Sequence, residues 1–258
     1  MITKDMIIEK LRDVLKPLPY IYALWLEGAD ANGTADEYSD IDIWVDFEDA
    51  YEKQAISAVE TTLCEISEID YKYFMPNDQC EKIRFRRYHL AGTSKYLVID
   101  FQWQFHSRPK DEFVFFENNK IEAAKVIFDK ESVIKYKPLD LSKFHEPNLR
   151  RLEEAKYRMT QLMRVEKYIH RNQYLEAYDH YNCYVLQSLI DLLRLIYTPS
   201  HAHYAFCHIS QHIPKANREK LEYFSKINSF EDITEKMPQA KKWFEELLQQ
   251  MDNLKEMQ

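Results

Sequence analysis

Apolar residues recur with two different periods in the first half of the chain. They return every three or four positions over residues 3–16 and 48–67, which predicts two amphipathic helices. Runs rich in β-branched and aromatic residues lie before, between and after them, and such runs are typical of strands. We predict strands at residues 20–27, 41–47, 69–75, 82–90 and 95–105, with a polar loop at 29–39 and a turn at 91–94.

The second half of the chain has a helical pattern. From residue 148 onward there is little strand signal, and residues 174–197 form the most apolar segment, which predicts a helix buried in a bundle. The last helix is expected to include residues 241–251. Three prolines are expected to separate the helices of this half, namely Pro199, Pro214 and Pro238.

The change of pattern predicts a domain boundary. Residues 137–147 contain two prolines and read as a linker or the entry to a helix. We therefore predict an α+β protein, in which a domain with a mixed sheet over residues 1–140 precedes a helical bundle over residues 147–258.

Composition narrows the classes of function. The chain has 258 residues, a formal net charge of −8 and three glycines. So few glycines fit poorly with dinucleotide-binding and P-loop folds, which need glycine-rich turns. Coating nucleic acid requires Lys and Arg to neutralise phosphates, which an acidic chain is not built to do. We expect a small substrate and no nucleic-acid partner.

The cysteines and the apolar runs favour a cytoplasmic protein. The longest apolar stretches fall well short of the ~20 residues that cross a bilayer, so no membrane partner is expected. No signal peptide and no Cys-x-x-Cys pair is recognisable, which indicates buried free thiols in a reducing compartment. These cysteines are Cys64, Cys80, Cys183 and Cys207.

Two acids on the second predicted strand are the first candidates for chemistry. Alternate side chains of a strand share a face, so Asp40 and Asp42 point the same way while Ile41 and Ile43 point into the core. Two such carboxylates repel each other unless a cation lies between them, and Mg²⁺ binds to carboxylates together with substrate phosphates. An isolated pair of this kind is more often two solvated acids on an edge strand.

A third acid lies in a strongly apolar strand. Asp100 follows Leu97, Val98 and Ile99, and burying a carboxylate there is costly unless it is paired or binds a metal. The pattern leaves two interpretations open. Asp100 is either a metal ligand or a residue at the sheet's rim bonded to a neighbouring arginine.

Taken together, these segments carry a family resemblance. The chain reads LWLEGA over residues 24–29, YSDIDIWV over 38–45 and YLVIDF over 96–101. A strand ending in glycine, a gap of about ten residues, an acid pair and a third acid on a later strand resemble the signature of the DNA-polymerase-β-like nucleotidyltransferases. The helical remainder is similar to that of antibiotic nucleotidyltransferases of the aminoglycoside and lincosamide type.

The resemblance implies an activity and roles for the acids. These enzymes move a nucleoside monophosphate, AMP from ATP in the expected case, to a hydroxyl of a small molecule and release pyrophosphate. Asp40 and Asp42 would hold two Mg²⁺ ions and the triphosphate, and Asp100 would hold the catalytic metal and help to remove the acceptor proton. Gly28 would let the phosphates approach the backbone.

One position departs from the family pattern. The serine that follows the glycine in the family, and helps to grip the outer phosphates, is Ala29 here. Losing one hydrogen bond to a charged group costs about 1.5–3 kcal/mol, which weakens binding without abolishing it. Backbone N–H groups at Ala29, or the hydroxyl of Ser39 or Thr34, are candidates to compensate.

Arginines precede Asp100 on the predicted hairpin. Arg84 and Arg86 share a face of their strand, and we predict that Arg84 contacts the triphosphate. The alternative for this group, which also includes Arg87 and Lys95, is ordinary surface charge.

Two features of the helical half are weaker candidates. Glu153 and Glu154 could supply a separate general base, although a solvated helix face explains them better. His208 and His212 have the spacing of a zinc-binding helix, but no glutamate lies between them in the usual register, and packing is the better interpretation.

The expected partners are an NTP and a small hydroxylated acceptor, and a homodimer is one option. Two alternatives to the enzyme remain open. Ala29 favours a non-catalytic nucleotide-binding relative. A protein-modifying or antitoxin-type relative is disfavoured by the long helical half, because those proteins are often minimal domains.

Overall fold

The protein was analysed as a computed structural model, which describes residues 2–75, 82–109, 114–117, 119 and 121–256. The chain divides into two compact units, Met1–Leu139 and Asp140–Gln258.

The first unit is built on a six-stranded mixed sheet with the order β3-β4-β5-β2-β1-β7. Strands β2 and β5 are parallel, and the other neighbours are antiparallel. Two further short strands, β6 and β8, pair in parallel. The strands are β1 Ile21–Leu26, β2 Ile41–Phe47, β3 Ile69–Phe74, β4 Ile83–Leu90, β5 Val98–Phe105, β6 Phe115–Phe116, β7 Lys125–Asp129 and β8 Tyr136–Lys137.

Two helices bury one face of this sheet. Helices α1 (Lys4–Leu15) and α3 (Glu52–Ile66) share a core with alternate residues of β1, β2 and β5. Ile43 and Phe101 are fully buried in that core, as period-two burial requires. A short helix, α2 (Gly28–Asn32), follows β1. The face of β2 that carries its polar residues is therefore the one turned away from α1 and α3.

The second unit is entirely helical in the residues that the structure describes, apart from its connecting segments. Its core is formed mainly by α4, α6, α7 and α10. A π-helical turn at residues 182–186 joins α6 to α7, so residues 174–197 run as one continuous helical segment. The helices are α4 His145–Met159, α5 Met163–His170, α6 Tyr174–Tyr181, α7 Gln187–Tyr197, α8 Ile209–His212, α9 Lys215–Ser225 and α10 Phe230–Glu256.

Charges buried in the second unit are matched by partners. Asp191 on α7 is 1% exposed and accepts hydrogen bonds from Arg151 at 2.9 Å, Arg158 and Gln187 at 3.1 Å. A buried carboxylate with two guanidinium partners has its charge fully compensated.

Arg194 is a buried cation in the same unit. Its side chain is fully buried and donates to the carbonyl oxygens of Ala205, at 2.9 Å, and Cys207. It also donates to Thr198 Oγ1 at 3.3 Å and lies 3.0 Å from His212 Nδ1. Burial, helped by the charge of Arg194, lowers the pKa of His212 to about 4, which keeps its ring neutral.

The predicted fold class is confirmed: a mixed-sheet α+β unit is followed by helices. Some details differ. Helix α2 occupies the start of the predicted loop at 29–39, strands β6, β7 and β8 were not predicted, and Pro238 lies inside α10. The packing of Met237, Ala240 and Phe244 in the core offsets the hydrogen bond that a proline removes.

The cysteines were expected to be buried, and this prediction is wrong for those that the structure describes. Cys64, Cys183 and Cys207 are free and exposed, because each lies on the solvent side of its segment, and Cys80 lies outside the described residues. Throughout the described part of the chain, every helix is too short or too polar to span a bilayer.

Candidate active site

Three carboxylates converge at one edge of the acid-bearing face. Asp42 on β2 lies opposite Asp100 on β5 in the parallel register, and Asp40 directly precedes β2. One oxygen from each of the three lies within 4.8 Å of the other two. Oxygens bound to one Mg²⁺ at about 2.0–2.1 Å lie at most about 4.2 Å apart, so small side-chain adjustments would bring these three carboxylates onto a shared ion.

Alternation along the two strands produces this arrangement. Ile41 and Ile43 are fully buried against α1 and α3, which turns Asp42 to the opposite face. Ile99 and Phe101 do the same for Asp100. The apolar residues that flank the acids therefore determine where the carboxylates point.

The electrostatics of the site favour a bound cation. Burial and the negative charges of Asp40 and Asp100 raise the pKa of Asp42 to about 6. The charge of Asp30 acts in the same direction, and Lys4 opposes it. A divalent ion would remove this repulsion, so the donor set and its charge both fit a metal.

Gly28 permits the close approach of backbone and acid. Its φ is +57°, and a Cβ atom at this position would lie 2.1 Å from Asp42 Oδ2. The neighbouring Glu27 N–H donates to the Asp42 carbonyl oxygen at 3.0 Å. A glycine is therefore required here both by backbone conformation and by space.

Glu27 is a further acid of the site that sequence analysis missed. Burial, reinforced by the charge of Asp42, raises its pKa to about 7, although Trp25 Nε1 donates to its Oε1 at 2.9 Å. The signal available in the sequence was an acid at the end of an apolar strand, directly before Gly28.

Two cations lie at the site. Lys4 Nζ donates to the carboxylate of Asp30 at 2.9 Å and to the main-chain oxygen of Asp40 at 2.7 Å. Arg87 forms a two-pronged ion pair with Asp100, with both N–O distances at 2.6 Å. These contacts connect the start of α1, through Lys4, and the middle of β4, through Arg87, to the acids of the site.

Arg84 is not brought to the aspartates. It pairs in register with Trp103, whose side chain belongs to the core on the side of α1 and α3, and its guanidinium carbon lies 5.4 Å from the centre of the Phe105 ring. Arg87 pairs in register with Asp100 and shares its face. Odd-numbered residues of β4 lie on that face. The alternation of side chains along β4, once its register against β5 is known, could therefore have identified Arg87.

The other predicted phosphate ligands lie near β2 but are engaged locally. The Ser39 hydroxyl donates to Asp36 Oδ1 at 3.0 Å and accepts from the Asp36 N–H at 2.9 Å. Ala29 lies in α2, and its carbonyl accepts from Thr34 N at 3.0 Å. Thr34 itself is exposed.

The weaker candidates in the second unit have ordinary structural surroundings. Glu153 and Glu154 are exposed on α4, and Glu153 pairs with Lys156 at 2.9 Å. His212 contacts the buried Arg194, which is unfavourable for a metal ion. Within the described ranges, Asp40, Asp42 and Asp100 are the one group of three His, Cys, Asp or Glu side chains placed to hold a metal.

Comparison with known structures adds two distant likenesses. An aminoglycoside 6-adenyltransferase from Bacillus subtilis is 14% identical, with 98% of this chain and 91% of that chain covered and a TM-score of 0.35. A spectinomycin adenyltransferase from Enterococcus faecialis, with ATP and spectinomycin, is 12% identical over 96% and 100% of the two chains, with a TM-score of 0.36. At these scores neither likeness carries an argument about this chain.

The sequence match to a family is stronger. A search of curated proteins finds no match. The family described as the nucleotidyltransferase domain, however, matches residues 8–140, which is just over half of the chain and includes all three aspartates. The chain therefore belongs to the nucleotidyltransferase family and is a transferase.

Proposed function

We propose that this protein transfers AMP from ATP to a hydroxyl group of a small molecule, with Mg²⁺ bound at Asp40, Asp42 and Asp100. The observation that carries the proposal is the convergence of these three carboxylates, each with an oxygen within 4.8 Å of the others. Burial and the neighbouring carboxylates raise the pKa of Asp42, and a perturbed acid within such a cluster favours a functional role over a structural one.

The residues divide the work as follows. Asp40 and Asp42 would hold two Mg²⁺ ions with the triphosphate, and Asp100 would hold one of them. When bound, the ions neutralise the phosphates and lower the pKa of the attacking hydroxyl. Gly28 has no side chain, so its backbone can lie against the Asp42 carboxylate, and we expect the same backbone to approach the phosphates.

The reaction balances as a simple displacement. The acceptor oxygen bonds to the α-phosphorus while the bond from that phosphorus to the bridging oxygen of the β-phosphate breaks. Pyrophosphate leaves with the electron pair. The hydroxyl proton passes to a carboxylate of the site, for which Asp100 is our candidate.

The acceptor is proposed from chemistry and resemblance together. A chain with a formal charge of −8 suits a small substrate, and amino groups on that substrate would be attracted by its acids. An aminoglycoside-like molecule, which carries both hydroxyls and amines, meets both conditions. We propose a cytoplasmic enzyme acting on acceptors of this class.

A second candidate is a nucleotide-binding protein without transfer activity. Ala29 supplies no hydroxyl for the outer phosphates, and the hydroxyl of Ser39 is engaged by Asp36. This candidate requires the same metal-binding acids, so it differs from the first only in the chemical step.

Calorimetry and a transfer assay test the two candidates together. ATP binding would be measured with and without Mg²⁺ on the wild type, on Asp42→Asn and on the control Asp70→Asn. Asp70 lies on β3, and its exposed carboxylate pairs with His89 on β4. Pyrophosphate release would then be followed with a panel of hydroxylated acceptors, including aminoglycosides.

We expect Mg²⁺-dependent ATP binding in the wild type and in Asp70→Asn. In Asp42→Asn, transfer should fall by about a thousandfold or more, since a charge needed in the transition state is lost. Binding without release for every acceptor would favour the non-catalytic candidate. Full activity in Asp42→Asn would contradict the metal site.

A further inference from the structure

The ion pair between Arg87 and Asp100 engages both carboxylate oxygens of Asp100, at least one of which a metal would need as a ligand. Arg87 Nε donates to Asp100 Oδ1 and Arg87 Nη2 donates to Oδ2, each at 2.6 Å. The Asp100 side chain is 11% exposed, whereas that of Arg87 is 43% exposed. The carboxylate is thus fixed in the sheet, and its arginine partner extends toward solvent.

Metal and arginine compete for the same carboxylate. A divalent ion between Asp40, Asp42 and Asp100 requires at least one Asp100 oxygen as a ligand, at a distance of about 2.0–2.1 Å for Mg²⁺. Both Asp100 oxygens already accept a short, charge-assisted hydrogen bond. Each oxygen keeps a second lone pair, but a divalent ion bound to either one would repel the guanidinium and draw charge from its hydrogen bonds, so binding of a metal alone weakens this pair.

The displaced guanidinium has a second use at this place. Arginine presents a planar fork of donors that matches phosphate oxygens as well as it matches a carboxylate. Arg87 lies on the face that carries the aspartates, and the ring of Phe85 lies 5.6 Å from its guanidinium carbon. The side chain of Arg87 is therefore attached to the sheet beside the place where a metal-bound triphosphate would lie.

We propose that Arg87 exchanges partners during substrate binding: it holds Asp100 in the free enzyme and binds phosphate oxygens once a metal–nucleotide complex engages Asp100. Arg87 is then a nucleotide-binding residue that also keeps free metal out of the site. This inference rests on the proposed function, because it assumes that the three aspartates receive a metal with an NTP.

The exchange couples the two ligands. When a metal binds alone, Arg87 leaves Asp100 and has no new partner. When a metal binds with a nucleotide, the phosphate oxygens become the new partner of Arg87. Since coupling between ligands is reciprocal, nucleotide raises metal affinity by the same factor as metal raises nucleotide affinity. A metal that bridges the aspartates and the triphosphate already couples the two ligands, and the exchange adds to that coupling. A purely structural ion pair would add nothing, and its loss would weaken the binding of both ligands.

The test measures Mn²⁺ binding to the full chain by electron paramagnetic resonance, first alone and then with ATP. Arg87→Met keeps the length and apolar character of the arm but removes the fork. Lys72→Met is the matched control, since it removes a cation from β3 that pairs with Glu60 at 2.6 Å and does not contact the aspartates.

We expect Arg87→Met to bind Mn²⁺ alone about tenfold more tightly than wild type, because competition for Asp100 is lost. ATP at saturating Mn²⁺ should bind about tenfold more weakly, because the phosphate contact is lost. Lys72→Met should match the wild type in both measurements. Arg87→Lys, which keeps the charge without the fork, should fall between them and replaces Arg87→Met if that variant does not fold.

The outcomes separate this inference from the proposed function. If wild type binds Mn²⁺ with ATP but Arg87→Met shows unchanged or weaker affinity for Mn²⁺ alone, the exchange is wrong and the metal site stands. If neither wild type nor Arg87→Met binds Mn²⁺ in either condition, the proposed function and the exchange both fail.

Discussion

The two units bury carboxylates in opposite ways. Asp191, in the helical unit, is 1% exposed and faces the guanidinium groups of Arg151 and Arg158. Asp42, in the sheet unit, faces the carboxylates of Asp40 and Asp100 instead. The first arrangement supports the fold without any ligand. In the second, Arg87 on Asp100 and the nearby Lys4 offset only part of the repulsion on Asp42, and a bound cation would remove the rest.

The comparison shows which buried charge points to function. Burial of a carboxylate is common to both places and does not by itself identify a site. What differs is the sign of the neighbours, because a carboxylate surrounded by carboxylates costs stability in the absence of a ligand. Four changes would break or sharpen this distinction.

The largest effect is expected at the compensated acid. Asp191→Asn would leave Arg151 and Arg158 close together and half-buried beside a neutral amide, with an expected loss of about 3 kcal/mol in the free energy of unfolding. Urea denaturation measures this. Asp179→Asn, at a side chain that is 82% exposed, is the control and should change stability by less than about 0.5 kcal/mol. If Asp191→Asn and Asp179→Asn changed the free energy of unfolding equally, Asp191 would not be stabilised by its two arginine partners.

Gly28→Ala should be next in size. The new Cβ would lie 2.1 Å from Asp42 Oδ2 at a φ of +57°, so both backbone strain and displacement of the acid follow. We expect a loss of about 2 kcal/mol in stability and a large loss of Mg²⁺-dependent ATP binding. Gly33→Ala has a similar φ of +71° with no atom within 4 Å, so it should show the strain without the loss of binding. ATP binding retained in Gly28→Ala would contradict the close approach.

At the uncompensated acid, a neutral residue should stabilise the metal-free protein. The folded state raises the pKa of Asp42 from 3.8 to about 6 and so binds more protons than the unfolded state between these values. Wild-type stability therefore falls as pH rises through this window. Asp42→Asn escapes that loss and should be more stable by about 2 kcal/mol at neutral pH without metal.

Thermal unfolding in the presence of EDTA at pH 4 and pH 7 measures this difference. The advantage of Asp42→Asn should be small at pH 4 and fully present at pH 7. Added Mg²⁺ and ATP should stabilise the wild type alone. An Asp42→Asn protein less stable than wild type at pH 7 would show that the cluster is compensated after all.

The smallest effect is expected at His212, and its pH dependence has the opposite sign. Its folded pKa of about 4 lies below the ordinary value of 6.5, so the unfolded state binds more protons between these values. Wild-type stability falls as pH drops through this window. His212→Gln keeps an acceptor for Arg194 and should gain stability relative to wild type on acidification, as measured by denaturation at pH 7 and pH 4.5. A stability difference that stays constant between the two pH values would contradict a neutral ring at His212.

Much of the fold could be predicted because apolar periodicity is a local signal. Strands β2 and β4 lie within a residue of their predicted bounds, since their buried residues recur at the expected spacing. Strand β7 could not be recognised, because its residues are mostly half-buried or exposed and only Phe128 is fully buried. An edge strand of this kind receives its structure from β1 and carries little pattern of its own.

The aspartates of the site could be predicted from the sequence, whereas the roles of Arg87 and Glu27 could not. Asp40 and Asp42 are two residues apart in the sequence, and Asp100 stands out as the one acid of its apolar strand. The selection of Arg87 over Arg84 depends on the register of β4 against β5, and local composition does not reveal that register. Glu27 owes its raised pKa to burial, which only the assembled structure reveals.

The parallel pairing of β2 with β5 has a consequence for the order of folding. The two strands are far apart in the chain, so their contact requires a long loop to close, whereas β4 and β5 form a local hairpin. Arg87 and Asp100 both belong to that hairpin. We therefore expect Asp100 to reach β2 already paired with its arginine, so that a nascent chain avoids carrying a bare negative charge into the closing sheet.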